Sequence, residues 1–323
     1  MLSRVANSIY WMARYVERAE NVARFIDVNL QLMAEIPEEN KQWSPLIFAS
    51  GDEAGYHKKY DEVYDQARVV DFLTFDRDNP NSIVSCLSSA RENARSIREV
   101  ISSEIWLLLN KSYLTLRMAN AAQRASESPT EFFHEIKSVS HMFTGLSQNT
   151  MTHGEAYNFM RLGSAIERAD KTSRILDVKY FILLPTVDDV GTPLDNLQWA
   201  AVLKSASAWE AFRKRYRQIT PRNVAEFLVS ETGFPRSMHY CLIEAENRLH
   251  AISGSRPGSY DNRAEMEIGR LRSDMDYTPI EDVLNRGLHE FIDNFQQRLN
   301  AIDTAIYETF FALRSLPQAS GRF

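Results

Sequence analysis

The stretch Glu17-Arg18-Ala19-Glu20-Asn21-Val22-Ala23-Arg24-Phe25-Ile26-Asp27-Val28 returns 150 residues later as Glu167-Arg168-Ala169-Asp170-Lys171-Thr172-Ser173-Arg174-Ile175-Leu176-Asp177-Val178. The shared residues keep their spacing without a slip. Two further matches lie in the same order along the chain. Pro80, Ser82, Cys86-Leu87 and Ala90 recur at an offset of 155 as Pro235, Ser237, Cys241-Leu242 and Ala245. Ser128-Pro129-Thr130-Glu131 is matched by Thr278-Pro279-Ile280-Glu281, each reading as a hydroxyl cap, a proline at the first helical position and a following glutamate. A His-Glu pair comes after each, His134-Glu135 and His289-Glu290. Three collinear matches are the mark of an internal duplication. They predict an all-α, bundle-like body of two duplicated helical halves, residues 1–150 and 151–323, related by a pseudo-twofold axis. The midpoint near Asn149 has no linker composition, so the halves are expected to pack as one compact unit.

The rest of the chain also carries helical periodicity. Apolar residues recur at three- and four-residue intervals over Val5–Leu32, Tyr60–Phe72, Ile83–Ile101, Trp106–Ala122 and Glu131–Leu146. In the second half they do so over Glu155–Phe181, Leu194–Arg217, Val224–Val229, Met238–Ile252, Asn262–Ser273 and Glu281–Leu313. Thr152 with Glu155, Thr192-Pro193 and Thr220-Pro221 mark helix starts. The irregular stretches are Glu35–Gly55, Asp76–Pro80, Pro185–Gly191 and Gly254–Asp261, the last with the composition of a mobile loop.

Composition narrows the function. A chain of 323 residues, 44% hydrophobic and 25% charged, can bury a sizeable core. A net charge of -6 argues against a general nucleic-acid or anionic-membrane binder, which needs a basic excess to neutralise phosphates. The opening residues carry no apolar signal core, and the longest apolar run, Tyr180–Pro185, is far too short for a bilayer. Cytoplasmic residence is therefore expected. The two cysteines suit a reducing compartment and lack metal-site spacing. No Gly-rich phosphate loop, nucleophile elbow or Cys/His pair is present, and no resident metal or cofactor is expected.

The candidate chemistry lies on the duplicated helices. At roughly 100° per residue, Glu17, Glu20, Arg24 and Asp27 share an arc of roughly 80°, as do Glu167, Asp170, Arg174 and Asp177. Tyr10, Ala13 and Val28 border the first arc, and Met160, Gly163 and Val178 the second. Such neighbours predict that both stripes are partly buried and face one another or a shared cleft. Ala13 and Gly163 leave room there for a helix or a ligand to approach. Arg91, Arg95 and Arg98 form a second charged stripe whose planar forks suit carboxylate or phosphate, with the acidic stripe around Glu17 as the expected internal partner. At the offset of 155 these three align with Glu246, His250 and Ser253, so the halves need not have equal roles.

Three readings follow. The stripes can be a buried ion network that fixes helix register. They can be a substrate site, with Arg91, Arg95 and Arg98 holding a carboxylate or phosphate and Glu17, Asp27, Glu167 and Asp177 holding an ammonium or guanidinium. They can belong to a stand-alone enzyme in which paired Glu17 and Glu167 share a cleft, repulsion raising one pKa for acid/base work. A structural scaffold without a charged cleft is the remaining class. Glu131 and His134 have the Glu-x-x-His spacing of di-iron bundles, but the motif does not recur after Glu281. His153, in the first turn of a helix, reads as exposed, and the run Arg213-Lys214-Arg215 with Arg217 suits the negative end of a helix dipole. Trp106, Trp199 and Trp209 read as core.

The opening Leu2-Ser3-Arg4-Val5-Ala6-Asn7-Ser8-Ile9-Tyr10-Trp11-Met12-Ala13-Arg14-Tyr15-Val16-Glu17-Arg18-Ala19-Glu20-Asn21 resembles the signature of the bacterial alpha-E family. So do Ala90-Arg91-Glu92-Asn93-Ala94-Arg95, the run from Ile166 to Phe181 and Phe234-Pro235-Arg236-Ser237. The similarity spans nearly the whole chain. It implies an association with circularly permuted ATP-grasp proteins, transglutaminase-like proteins and in some cases a proteasome-like peptidase. From that resemblance comes the functional expectation of an accessory or partner subunit in an ATP-grasp-linked peptide or amide-bond ligation system.

Overall fold

The computed structural model describes residues 1–181 and 191–312. Most of the apolar run Tyr180–Pro185, the stretch Pro185–Gly191 up to its last residue, and Leu313 lie outside the described residues. Those described form sixteen α-helices and no strand. In the first half these are α1 (Ser3–Glu35), α2 (Ser44–Ser50), α3 (Glu53–Tyr60), α4 (Gln66–Thr74), α5 (Ile83–Ser96), α6 (Ser103–Leu116), α7 (Ala121–Glu127) and α8 (Pro129–Thr150). Then come α9 (Glu155–Phe181), α10 (Pro193–Ser205), α11 (Trp209–Arg215), α12 (Pro221–Ser230), α13 (Met238–Ser253), α14 (Arg263–Asp276), α15 (Ile280–Arg286) and α16 (Leu288–Ile306). A π-helical turn, Tyr307–Phe311, follows α16.

The two long helices α1 and α9 form the centre. Helix α1 has neither Gly nor Pro in its 33 residues and stops just before Pro37, which disfavours helical geometry in the preceding residue. It is buried on most sides, the pattern of a helix enclosed by others. It packs on α9, α5, α8 and α10, while α9 also packs on α13, α16 and α2. At their crossing the backbones meet at a glycine: a Cβ on Gly163 would lie 2.4 Å from the Tyr10 carbonyl oxygen. The small residue is thus used by a neighbouring helix.

Several local contacts occur in pairs at the sequence offsets. Ser82 caps α5 by accepting from the Ser85 amide and donates back to the Asp76 carbonyl; Ser237 caps α13 through the Tyr240 amide and donates to the Glu231 carbonyl. Cys86 and Cys241, both buried, lie against the carbonyls of Pro80 and Pro235. The cap on α10, Thr192, accepts from Asp195, and Thr220 on α12 accepts from Asn223, as their sequences predict.

Other boundaries differ from the periodicity. The expected helix Tyr60–Phe72 is split by the bend after Asp61, whose φ of 52° no continuing helix tolerates. Trp106–Ala122 divides between α6 and α7, and Leu194–Arg217 is broken at Ser207, φ 55°. The run Glu281–Leu313 breaks at Gly287, φ 98°, between α15 and α16. Neither expected hydroxyl box forms: Ser128 makes no side-chain cap, and Thr278 turns its hydroxyl back to the Asp274 carbonyl while Pro279 takes the cap position. Within the nominally irregular Glu35–Gly55, Ser44-Pro45 opens α2, whose Leu46 and Ile47 are buried in the core. Trp199 is buried, whereas Trp106 and Trp209 are only partly so.

Candidate functional site

The charged centre of the molecule grows from the two Glu-Arg pairs. Arg18 follows Glu17 by one residue and so points about 100° away from it around the helix, toward α9. There its Nε and Nη2 donate to Glu167 at 2.6 and 3.0 Å. Arg168 does the same in reverse, its Nε and Nη2 donating to Glu17 at 2.9 and 2.8 Å. Each arginine therefore grips, with a two-pronged fork, the glutamate preceding its counterpart. The exchange ties α1 to α9 at matching heights.

A second rank of groups completes the pairing. Arg14 Nε donates to Glu167 at 2.8 Å, and its Nη1 reaches Asp303 of α16 at 2.6 Å, which also accepts from the Tyr10 hydroxyl. Arg236, in the turn before α13, bridges Glu17 at 3.1 Å and Glu20 at 3.0 Å. Arg24 donates to Glu20, and Arg174 to Asp170, each one turn back on its own helix. Lys171 adds a contact to Asp170 at 3.0 Å. Arg18 Nη1 donates to Asn81, which donates to Asp52 in turn. The side chains of Glu17, Glu20 and Glu167 are 2%, 0% and 0% exposed, so pairing and not hydration stabilises their charge.

Burial pushes the Glu17 carboxyl up, but Arg168 and Arg236 outweigh it and hold the pKa at about 2. At Glu167 burial is likewise overcome, by Arg18, Arg14 and Lys171, and the pKa falls well below the carboxylate range. Asp170 is brought to about 2, against burial, by Lys171 and Arg174. The expectation that repulsion would raise one member of a Glu17/Glu167 acid/base pair is therefore corrected: each has its own arginines and both stay ionised. Burial pushes the Cys86 and Cys241 thiols up to about 12, leaving them as packing groups.

The remaining stripe residues also meet protein partners. Asp27 takes Lys137 of α8 at 2.6 Å, and Asp177 takes His289 of α16 at 2.8 Å. Glu17 and Glu167 thus meet each other's arginines across the α1–α9 seam, Arg24 and Arg174 pair within their own helices, and Asp27 and Asp177 meet side chains of α8 and α16. Beside that seam Arg18, Asn21, Asn81, Lys171 and Arg174 line a cavity of about 30 Å³, room for water and too small for a peptide.

Arg91, Arg95 and Arg98 lie elsewhere. Their expected internal partner, the stripe around Glu17, is not what they meet. Helix α5 ends at Ser96, so Arg98 falls in the following turn and leaves the face it would share with Arg91 in a continuous helix. Arg91 donates to Asn110 and Glu92, and Arg95 to Glu92. The guanidinium groups of Arg91 and Arg98 lie over the Trp106 ring at 5.6 and 5.0 Å. The 63% exposed side chain of Arg95 marks this as an open surface.

Arg14, Arg18, Arg168, Lys171, Arg236 and Asn81 carry the seam but were not singled out by helical arcs. The signal for Arg18 and Arg168 lies inside the repeat itself, since each recurs beside its glutamate. Of the weaker candidates, His153 is exposed and stacks on Tyr157 at 4.1 Å, and Arg213, Lys214 and Arg215 close α11. Among the described residues no helix is long and apolar enough to cross a membrane.

A sequence model for Alpha-E, described as a predicted alpha-helical domain with a conserved ER motif, matches residues 1–311. Uncharacterised proteins of Mycobacterium bovis and of two strains of Mycobacterium tuberculosis are each 25% identical over 290 residues. That alignment takes in 83% of this chain and 32% of each relative, so the chain spans about a third of the length of the curated relatives it matches. No solved structure matches. Glu17-Arg18 and Glu167-Arg168, the two Glu-Arg pairs that lock α1 to α9, lie within the matched region, and the chain belongs to the Alpha-E family.

Proposed function

We propose that this chain is a non-catalytic partner subunit of an ATP-grasp-linked peptide or amide-bond ligation system in the cytoplasm. A circularly permuted ATP-grasp protein activates a carboxylate, and the helical body presents the acceptor or the growing peptide. A transglutaminase-like protein is a second partner of the same system. The observation that carries this reading is the division of charge. The seam is occupied by its own ion pairs, both glutamates ionised, and offers no acid/base couple. On the α5–α6 surface Arg95 and Arg98 are exposed and Arg91 partly so, open to a ligand carboxylate or phosphate. Relatives in which this region is about a third of a longer chain also favour a unit that works beside others.

The two halves are read as descendants of one helical ancestor. The reciprocal Arg18–Glu167 and Arg168–Glu17 forks and the matched Ser82 and Ser237 caps support that descent. The test is to tag the protein in its host and identify what co-purifies with and without ATP and magnesium. Stoichiometric recovery of an ATP-grasp protein supports the reading. A reproducibly solitary protein overturns it.

A further inference from the structure

Helix α6 turns one face outward without a partner. Leu107, Leu114 and Met118, the last just past its end, are 60%, 51% and 56% exposed, large values for such side chains. With the exposed Lys111 they fall within an arc of roughly 60°, opposite the buried Ile105, Leu109 and Leu116. This is a continuous apolar ridge interrupted by one ammonium.

Along one flank runs a ladder of alternating cations and rings. Arg98 lies over Trp106 at 5.0 Å, Arg91 over Trp106 at 5.6 Å and over Tyr113 at 5.0 Å, and Arg117 over Tyr113 at 5.7 Å. Asn110 fixes Arg91 further by accepting from its Nε at 2.8 Å. Guanidinium groups held over rings lose little freedom when they bind and keep donors suited to carboxylates. Glu92 satisfies part of Arg91 and Arg95.

Resting on the partner-subunit reading, we infer that this ridge and ladder dock an amphipathic helix of the ATP-grasp partner, its apolar stripe bordered by aspartates or glutamates. The ridge supplies the buried contact, and the ladder sets orientation by pairing with the acidic border. Charge complementarity selects this occupant: Arg91, Arg98 and Arg117 line one flank of the apolar strip and Lys111 stands within it.

The experiment is isothermal titration of the full chain with the ATP-grasp protein encoded in the same genome, at low and high salt. Two double variants are compared with the natural chain, Leu107→Ser with Leu114→Ser, and Arg98→Ala with Arg117→Ala. Circular dichroism first establishes that each is folded. Docking on this face predicts that either double variant weakens binding at least about tenfold, and that the arginine variant flattens the salt dependence. Cross-linking of Lys111 to partner carboxylates supplies the independent contact. Binding by the natural chain that neither variant weakens overturns the surface and leaves the partner reading standing. No binding by the natural chain overturns both. A natural chain that doubles its mass in solution and returns to a monomer in the leucine variant shows a second copy on the ridge, and overturns the proposed occupant.

Discussion

The α1–α9 seam and the α5–α6 face use the same residue type to opposite ends. In the seam, Arg14, Arg18 and Arg168 are almost out of water, and every fork closes on a carboxylate of the protein. On the face, Arg91, Arg98 and Arg117 lie on aromatic rings with solvent beside them. A buried arginine cannot give up its carboxylate without a large desolvation penalty, whereas an exposed one can exchange it for a ligand's. Chemical type alone therefore does not mark a binding site; the location of the counter-charge does.

The largest effect expected from this contrast is on Glu167. Replacing it with alanine leaves Arg18 buried without its carboxylate and Arg14 with Asp303 alone, and the folding stability should fall by about 3–5 kcal/mol in urea denaturation. A loss comparable to a surface change would place the seam in the same class as the face.

Next comes the helix approach. Gly163→Ala inserts a Cβ 2.4 Å from the Tyr10 carbonyl, and α1 and α9 must move apart. A loss of about 1–3 kcal/mol is expected, with the forks lengthened, and the melting temperature measures it.

Acid should dissolve the seam while sparing the face. The Glu17 pKa is held at about 2, below its ordinary 4.5, and that of Glu167 is likewise held well below 4.5 by its arginines. A depressed pKa contributes stability that is complete above the unfolded value and is lost as pH falls through the folded one. Stability should therefore be flat above pH of about 5 and decline from there toward pH of about 2. In a Glu17→Gln/Arg168→Gln double variant this decline should be shallower, as urea midpoints across pH will record.

The smallest effect belongs to Arg95. Its exposed side chain pairs with a carboxylate three residues earlier, so Arg95→Ala should change stability by less than about 0.5 kcal/mol and leave the protein folded. Substantial unfolding would mean that the face, too, is structural.

Much of the fold can be read in the sequence, because helical period, proline caps and repeats are local signals. Thr192 and Thr220 cap where their sequences say, and Ser82 and Ser237, legible only as matched residues of the repeat, cap as well. Breaks at Asp61, Ser207 and Gly287 are less legible, since each depends on a single backbone angle imposed by packing. Helix α2 escaped notice because seven residues give too little period to detect. For the site, the arcs through Glu17 and Glu167 locate the buried acids. They do not find the partners, because Arg18 and Arg168 lie off the arc and reach sideways to another helix. The assignment of Arg91 as partner to Glu17 failed for the same reason: the relative rotation of two helices is a tertiary quantity. Arg236, brought in by the turn before α13, has no local signature beyond its place next to the repeated proline.

The central claim is that each Glu-Arg pair grips the other across the two helices. A double-mutant cycle on Glu17→Gln and Arg168→Gln, read by urea denaturation, tests it most directly. The account predicts that the single changes are each destabilising and that their coupling is favourable by about 1.5–3 kcal/mol. Coupling within about 0.3 kcal/mol of zero would contradict it.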